Sequence, residues 1–157
     1  MGVVRFIEEK SIRKKVSLAF LDHQKFLKGL IPYAELTHIG STAVEGSLTK
    51  GDLDILVEVP KERFNEADLL LAKYFERNLE SERSDKFSSF KNDELDPPLG
   101  LQVCAEKENM GFRQLLFRMK TDPEFLTAYN ALKKFYEGKS EEEYWEAKSK
   151  FIKDFLG

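Results

Sequence analysis

Cysteine is nearly absent: Cys104 is the only one in 157 residues. No intrachain disulfide can form, which excludes a disulfide-stapled scaffold and makes a reducing, intracellular setting the simpler reading. No stretch approaches the ~20 apolar residues of a membrane span. The opening segment, MGVVRFIEEKSIRKK, carries charges throughout and has no apolar centre, so it does not read as a secretory signal. Gly2 follows Met1, but Arg5 and Phe6 stand where a myristoylation signal wants its later Ser or Thr. A cytoplasmic protein without a membrane partner is expected. An excess of positive charge is missing too: 25 Lys and Arg against 28 Asp and Glu leave a formal charge of −3. Long, unselective nucleic-acid binding needs a basic surface, and this balance argues against it while leaving room for a local basic pocket.

What is present is the composition of an ordinary globular chain, 41% hydrophobic and 34% charged, with length for one domain and a real core. Ile12, Val16, Ala19, Phe20, Leu27 and Leu30 recur at helical spacing and predict a helix over 11–30, stopped by Pro32. A short strand over 34–39 leads into a glycine-bearing turn. DLDILVEV (52–59) is the best strand in the chain, closed by Pro60. Residues 62–77 pattern as a helix, RSDKFSSFKN (83–92) as an exposed strand, and DELDPP (93–98) as a turn on its two prolines. LGLQVCAE (99–106) is a third strand candidate, with Leu101, Val103 and Ala105 on one face and Gln102 and Cys104 on the other.

The remainder reads as helical. Asn109 is placed to cap a helix running to about residue 120. Asp122 as N-cap, Pro123 at N1 and Glu124 in the first turn start another, and Gly138 stops it. Ser140 and Glu143 form a capping box for the last helix. Phe125, Tyr129 and Trp145 at helical spacing read as core, Cys104 as small core filler, His23 as a core or boundary residue, and His38 as a strand-end residue bonded locally. The fold class is α+β: a mixed β-sheet flanked by helices, with a C-terminal helical segment. It reads as one domain, an α/β core over about 1–107 and a helical tail over 108–157.

The chemistry concentrates in THIGSTAVEGSLTKGDLDILVEV (37–59). Residues i and i+2 of a strand share a side, so Asp52 and Asp54 stand close together and repel. A divalent cation offsets that cost, and oxygen-only ligands suit Mg²⁺ or Mn²⁺ better than zinc. Such an ion holds phosphate oxygens. Gly40 lets the backbone approach a phosphate, and the following amides with the Ser41 and Thr42 hydroxyls form a cradle, especially if 42–47 open a helix. Lys50, beside the aspartates, is a candidate phosphate contact. The plainer alternatives are a strand end with solvated aspartates, a tight turn and a loop lysine. No P-loop spacing is present.

Gly-Ser, ten residues, then Asp-x-Asp resembles the signature of the polymerase-β-like nucleotidyltransferase superfamily. The longer string His38-Ile39-Gly40-Ser41-Thr42-Ala43-Val44-Glu45-Gly46, with Lys50 and Asp54-Ile55, resembles the GrpB (UPF0157) family within it. FRMKTDPEFLTAYNALK (117–133) and YWEAKSKFI (144–152) are similar to that family's later blocks, so the likeness spans about 35–155. It implies a nucleotidyltransferase-like fold and transfer of a nucleoside monophosphate from a nucleoside triphosphate to an unidentified acceptor. In that scheme Asp52 and Asp54 are catalytic and metal-holding, and Arg118, Lys133 and Lys148 join Gly40, Ser41, Thr42 and Lys50 as nucleotide or phosphate ligands. Two departures stand out. Glu45 replaces a usual proline, and Gln102 occupies the third position, where a histidine or third carboxylate is expected. Asp96 and Glu106 are the substitutes in reach of the sequence. Gln102 also keeps open a different class, an inactive nucleotide- or metal-binding regulatory module on the same fold.

Overall fold

The strand read from DLDILVEV lies at the centre of the molecule. In a computed structural model, which describes residues 2–108 and 111–156, β4 (Leu53–Val59) pairs antiparallel with β2 (Glu35–Ile39) and parallel with β7 (Leu99–Ala105). Outward from β7 follow β6 (Phe87–Asn92) and β5 (Glu76–Arg77), both antiparallel, for a sheet order of β2-β4-β7-β6-β5. A separate two-stranded ladder joins β1 (Ile7–Glu8) to β3 (Leu48–Thr49).

One face of the sheet is closed. Leu53, Ile55, Val57, Val59, Leu99, Leu101, Val103 and Phe90 pack there against α1 (Arg13–Leu30) and α2 (Phe64–Ala72), chiefly through Val16, Leu27, Phe64, Ala67 and Leu71. The apolar stripe of each helix is thus spent on this face. The opposite face is covered only in part. Leu56, Cys104, Phe87 and Ile39 meet Phe112 and Leu116 of α3 (Phe112–Thr121). Beyond α3 lie α4 (Pro123–Tyr136) and α5 (Glu141–Leu156), which share a second core of Val44, Met119, Phe125 and Tyr129 with Phe151 and Ile152. No helix among the described residues is long and apolar enough to cross a membrane.

The structure departs from the sequence reading at several points. The helix expected over 62–77 is a short turn at Lys61–Arg63 and then α2, which ends at Ala72. The chain turns there so that Glu76 and Arg77 can pair with Lys91 and Phe90, and Arg77 forks onto Asp68 at 2.9 and 2.7 Å. The strand over 83–92 begins only at Phe87, and its first four residues are buried, because β6 is flanked by β7 and β5 and covered by core residues. Trp145 is 59% exposed, with the Lys148 ammonium 5.6 Å from its ring; α5 turns Tyr144 inward instead, at 2%. Asn109 lies outside the described residues. Elsewhere the local rules operate: the Asp122 carboxylate accepts from the Phe125 amide at 3.1 Å, Gly138 takes φ +81° after α4, and Ser140 Oγ accepts from the Glu143 amide at 3.0 Å.

Candidate functional site

Alternation along β4 decides what reaches the open face. Leu53, Ile55, Val57 and Val59 point into the closed core, so Asp54, Leu56 and Glu58 point the other way. Asp54 is paired with Ile39 on one side and Gly100 on the other. Its carboxylate fills the space that two missing side chains leave. A Cβ on Gly40 would lie 2.8 Å from Oδ2, and one on Gly100 would lie 2.6 Å from Oδ1. Gly40 also has φ +80°, a conformation glycine adopts without penalty. Both glycines are therefore required by the carboxylate between them.

The surroundings resist the negative charge. Burial first, and then the neighbouring charge of Asp52, push the Asp54 carboxyl up to about 6 against the pull of Lys148 and Lys50. Burial likewise raises Asp52, opposed by Lys50 and assisted by Asp93. A pair of acids held close to protonation is a site that gains from a cation.

The connection from Gly40 to Asp52 is fixed by hydroxyls. Residues Ser41–Ala43 form a single tight turn, and no helix opens over 42–47; β3 follows instead, because residues 47–49 are held by the helical tail and β1. Ser41 Oγ donates to Thr49 Oγ1 at 2.7 Å, the Gly51 amide donates to the same Thr49 oxygen at 3.0 Å, and Ser47 Oγ donates to the Ser41 carbonyl at 2.9 Å. Thr42 Oγ1 donates to the Asp52 carbonyl at 2.9 Å, so it accepts from Nε2 of His38, 2.9 Å away. His38 is correspondingly neutral: burial and then the Lys120 charge push it down to about 4, and its ring stacks on Phe20. The Ser41 and Thr42 hydroxyls are thus engaged inside the loop. Among the described residues, their backbone amides donate to no protein acceptor, and these are what the turn offers an anion.

The helical tail supplies the cations. Lys133, on α4, is only 2% exposed. Its Nζ donates to the Leu48 carbonyl at 2.7 Å and sits 4.1 Å from the Tyr129 ring centre. Burial, with the charges of Lys148 and Lys50, pushes it down to about 7. Lys50 and Lys148 act on both aspartates, and the same two lysines act on Lys133. Arg118 is engaged elsewhere. Its guanidinium is tied to Asp122 at 2.8 Å and to the Phe155 carbonyl at 3.2 Å, and lies over the Phe125 ring.

Gln102 shares the open face with Asp54, one row further along β7, where it opposes Leu56 and Ser89. Its Nε2 is 3.9 Å from the point a Gly100 Cβ would occupy. No carboxylate replaces it there. Asp96 reaches Lys15 at 2.9 Å, and Glu106 lies six residues beyond Gly100, about 20 Å along the strand direction. Among the described residues, no group of three or more His, Cys, Asp or Glu side chains is arranged to hold a metal.

Comparison with known proteins decides the family. The pattern described as GrpB protein matches residues 8–157. A UPF0157 protein of Vibrio cholerae is 34% identical over 136 residues, covering 83% of this chain and 70% of that protein. The chain belongs to the GrpB family. The crystal structure of the conserved protein GrpB from Enterococcus faecalis superimposes with a TM-score of 0.67 at 19% identity, covering 90% of this chain and 87% of that one, which shows the GrpB fold. A Cid1 poly(U) polymerase structure with MgGTP bound gives a TM-score of 0.48 at 20% identity, over 73% of this chain and 39% of that one.

In this GrpB chain the donor set fits a hard divalent cation in part. Asp52 and Asp54 supply oxygen ligands, and the cradle between Gly40 and Gly100 would be filled by any Cβ. The remaining ligands would have to come from a phosphate or from water. Sequence reasoning missed Gly100, Ser47, Thr49 and Asn130. Asn130 Oδ1 accepts from the Leu48 amide and its Nδ2 donates to the Gly46 carbonyl, both at 2.9 Å. The LGLQ run (99–102) carries no mark of the Gly100 role; only the parallel register of β4 and β7 reveals it.

Proposed function

We infer that this GrpB protein is a metal-dependent nucleotidyltransferase, moving a nucleoside monophosphate from a nucleoside triphosphate to an acceptor. The observation that carries this reading is the Asp54 carboxylate seated between Gly40 and Gly100, with Asp52 as a neighbouring charge and with Lys50 and Lys148 acting on both acids: cations beside paired acids are the charge pattern of a metal–triphosphate complex. Mg²⁺ or Mn²⁺ would be held by Asp52 and Asp54, and would supply charge neutralisation at phosphorus. The amides of Ser41 and Thr42, with Lys50 and Lys148, bind and orient the outer phosphates. Lys133, buried against Leu48 and Tyr129, sets the local positive potential and fixes the loop. Positioning and electrostatics supply the rate enhancement.

A thermal-shift panel of nucleoside triphosphates with and without Mg²⁺ tests the reading. Stabilisation that needs the metal and is lost in Asp54→Asn supports it; no stabilisation by any triphosphate removes it. Gln102 favours a second reading, a nucleotide-binding module without turnover. Isotope-labelled nucleotide separates the two, since only an enzyme transfers the label.

A further inference from the structure

The helical tail pairs its aromatic rings with one another and leaves one out. Phe125 meets Tyr129, Phe151 and Phe155, and Tyr136 meets Tyr144. Trp145, the chain's one tryptophan, pairs with no other ring among the described residues and is 59% exposed. A ring of this size normally contributes through burial, in a core or against a ligand. Its place on α5 is specific. Residues i, i+4 and i+7 of a helix lie on one stripe, so Glu141, Trp145 and Lys148 share a side. Both ends of that stripe are felt at the acids: the Glu141 charge acts on Asp52, and the Lys148 charge acts on Asp52 and Asp54. Trp145 lies between them. Beside the stripe, Tyr144 is buried and hydrogen-bonded to Tyr129, which fixes the rotation of α5. The Lys148 ammonium stands 5.6 Å from the Trp145 ring centre, so one cation serves both the ring and the acids. An exposed cation–π contact is weak. A triphosphate therefore draws the ammonium away, and the ring face that it leaves is open.

We propose that Trp145 is the stacking platform for the nucleobase and that the substrate is a purine nucleoside triphosphate. The proposal rests on the nucleotidyltransferase reading. In a nucleoside triphosphate the base stands one ribose away from the phosphates; here the indole stands 5.6 Å from an ammonium assigned to them. Stacking needs only a π-face and grows with overlap. A two-ring purine covers a two-ring indole, and a pyrimidine covers less of it. Stacking reads the size of the ring system and not its hydrogen-bonding edge, so adenine and guanine are held alike.

Inorganic tripolyphosphate is the control ligand, since it carries the phosphates without ribose or base. Each ligand is titrated with Mg²⁺ into the full chain by calorimetry. ATP and GTP are expected to bind alike, and more tightly than UTP and CTP. Trp145→Ala should weaken ATP and GTP about tenfold and change tripolyphosphate by less than about twofold, with Trp145→Phe between. At this exposure the side chain can be cut back with the fold intact, which urea titration checks. Because the indole is the chain's one tryptophan, its emission reads the contact directly. Mg-ATP should quench it saturably over the range in which the site fills, and tripolyphosphate should quench it less. ATP affinity retained in Trp145→Ala, an equal loss for ATP and tripolyphosphate, pyrimidine triphosphates bound as tightly as purines, or binding of tripolyphosphate without ATP overturns the platform and leaves the phosphate site standing. No binding of either ligand overturns both readings. A dimer seen in sedimentation and lost in Trp145→Ala, with ATP affinity unchanged, gives the ring to an interface between copies and overturns the proposal too.

Discussion

The two oxygens of Asp54 each face a glycine: Oδ1 stands 2.6 Å from where Gly100 would carry a Cβ, and Oδ2 stands 2.8 Å from the same point on Gly40. Gly100 has no left-handed backbone to explain it, so its constraint is the carboxylate alone. Gly100→Ala is expected to displace Asp54 and abolish Mg²⁺-dependent stabilisation by nucleoside triphosphates. Its own destabilisation should be about 1–3 kcal/mol, as for other overpacked sites. Thermal shift with and without metal reads both effects.

Asp54 also sets a pH dependence. Its carboxyl rises from 3.8 to about 6 in the fold. Between those values the native state holds a proton that the unfolded chain has lost, so stability falls as pH rises through about 4 to 6 and is flat with respect to this group above. Asp54→Asn is therefore expected to melt above the wild type at pH 7.5, by an amount on the order of 5 °C, with the gap closing towards pH 4. Binding of Mn²⁺ should run the other way, strengthening as pH rises to about 6.5.

Lys133 titrates near neutrality, at about 7, because it is buried among like charges. An anion bound beside it favours the charged form. Binding of Mg-ATP at pH 8 should take up about one proton, seen as a buffer-dependent enthalpy in calorimetry. Lys133→Met should abolish that uptake and weaken binding about tenfold, or ~1.4 kcal/mol.

Arg118 behaves differently in the structure. Its partners are Asp122 and the Phe155 carbonyl, at the junction of α3, α4 and α5. Arg118→Ala is expected to lower stability by about 1 kcal/mol in denaturant titration and to leave Mg-ATP affinity within about twofold.

Asn130 latches the loop between the Ser41 turn and β3, through Leu48 and Gly46. Asn130→Ala should cost about 1–2 kcal/mol and weaken triphosphate binding without altering its metal requirement. Urea titration and the thermal-shift panel measure the two parts.

Much of this was legible in the chain. Local rules are strong where one residue acts on its neighbours, so the β4 alternation, the Asp122 cap and the Gly138 stop follow directly from sequence. The faces of β7 were equally plain, since Leu101, Val103 and Ala105 are apolar while Gln102 is not. What stayed hidden depends on contacts distant in sequence. Gly100 acquires its role only through pairing with a strand 46 residues earlier, as the register with Asp54 shows. Lys133 looks like any helical lysine until the Leu48 carbonyl, 85 positions away, is found against it. Phe87 to Phe90 read as surface because serines interrupt the aromatic residues, yet a strand with neighbours on both sides buries small polar groups as readily as apolar ones.

The chain's first residues run alongside the α4–α5 corner. The amide of Val4 meets the Lys139 carbonyl, the Val4 carbonyl accepts from Gly138, the Phe6 amide donates to the Glu137 carboxylate, and the Gly2 carbonyl accepts from Glu141. The helical end is thereby anchored at two separated places, here and at the Asn130–Lys133 latch. Two separated anchors leave a rigid body a single axis, the line that joins them, so any other displacement of the helical end over the sheet has to break the hydrogen bonds at one of the two places.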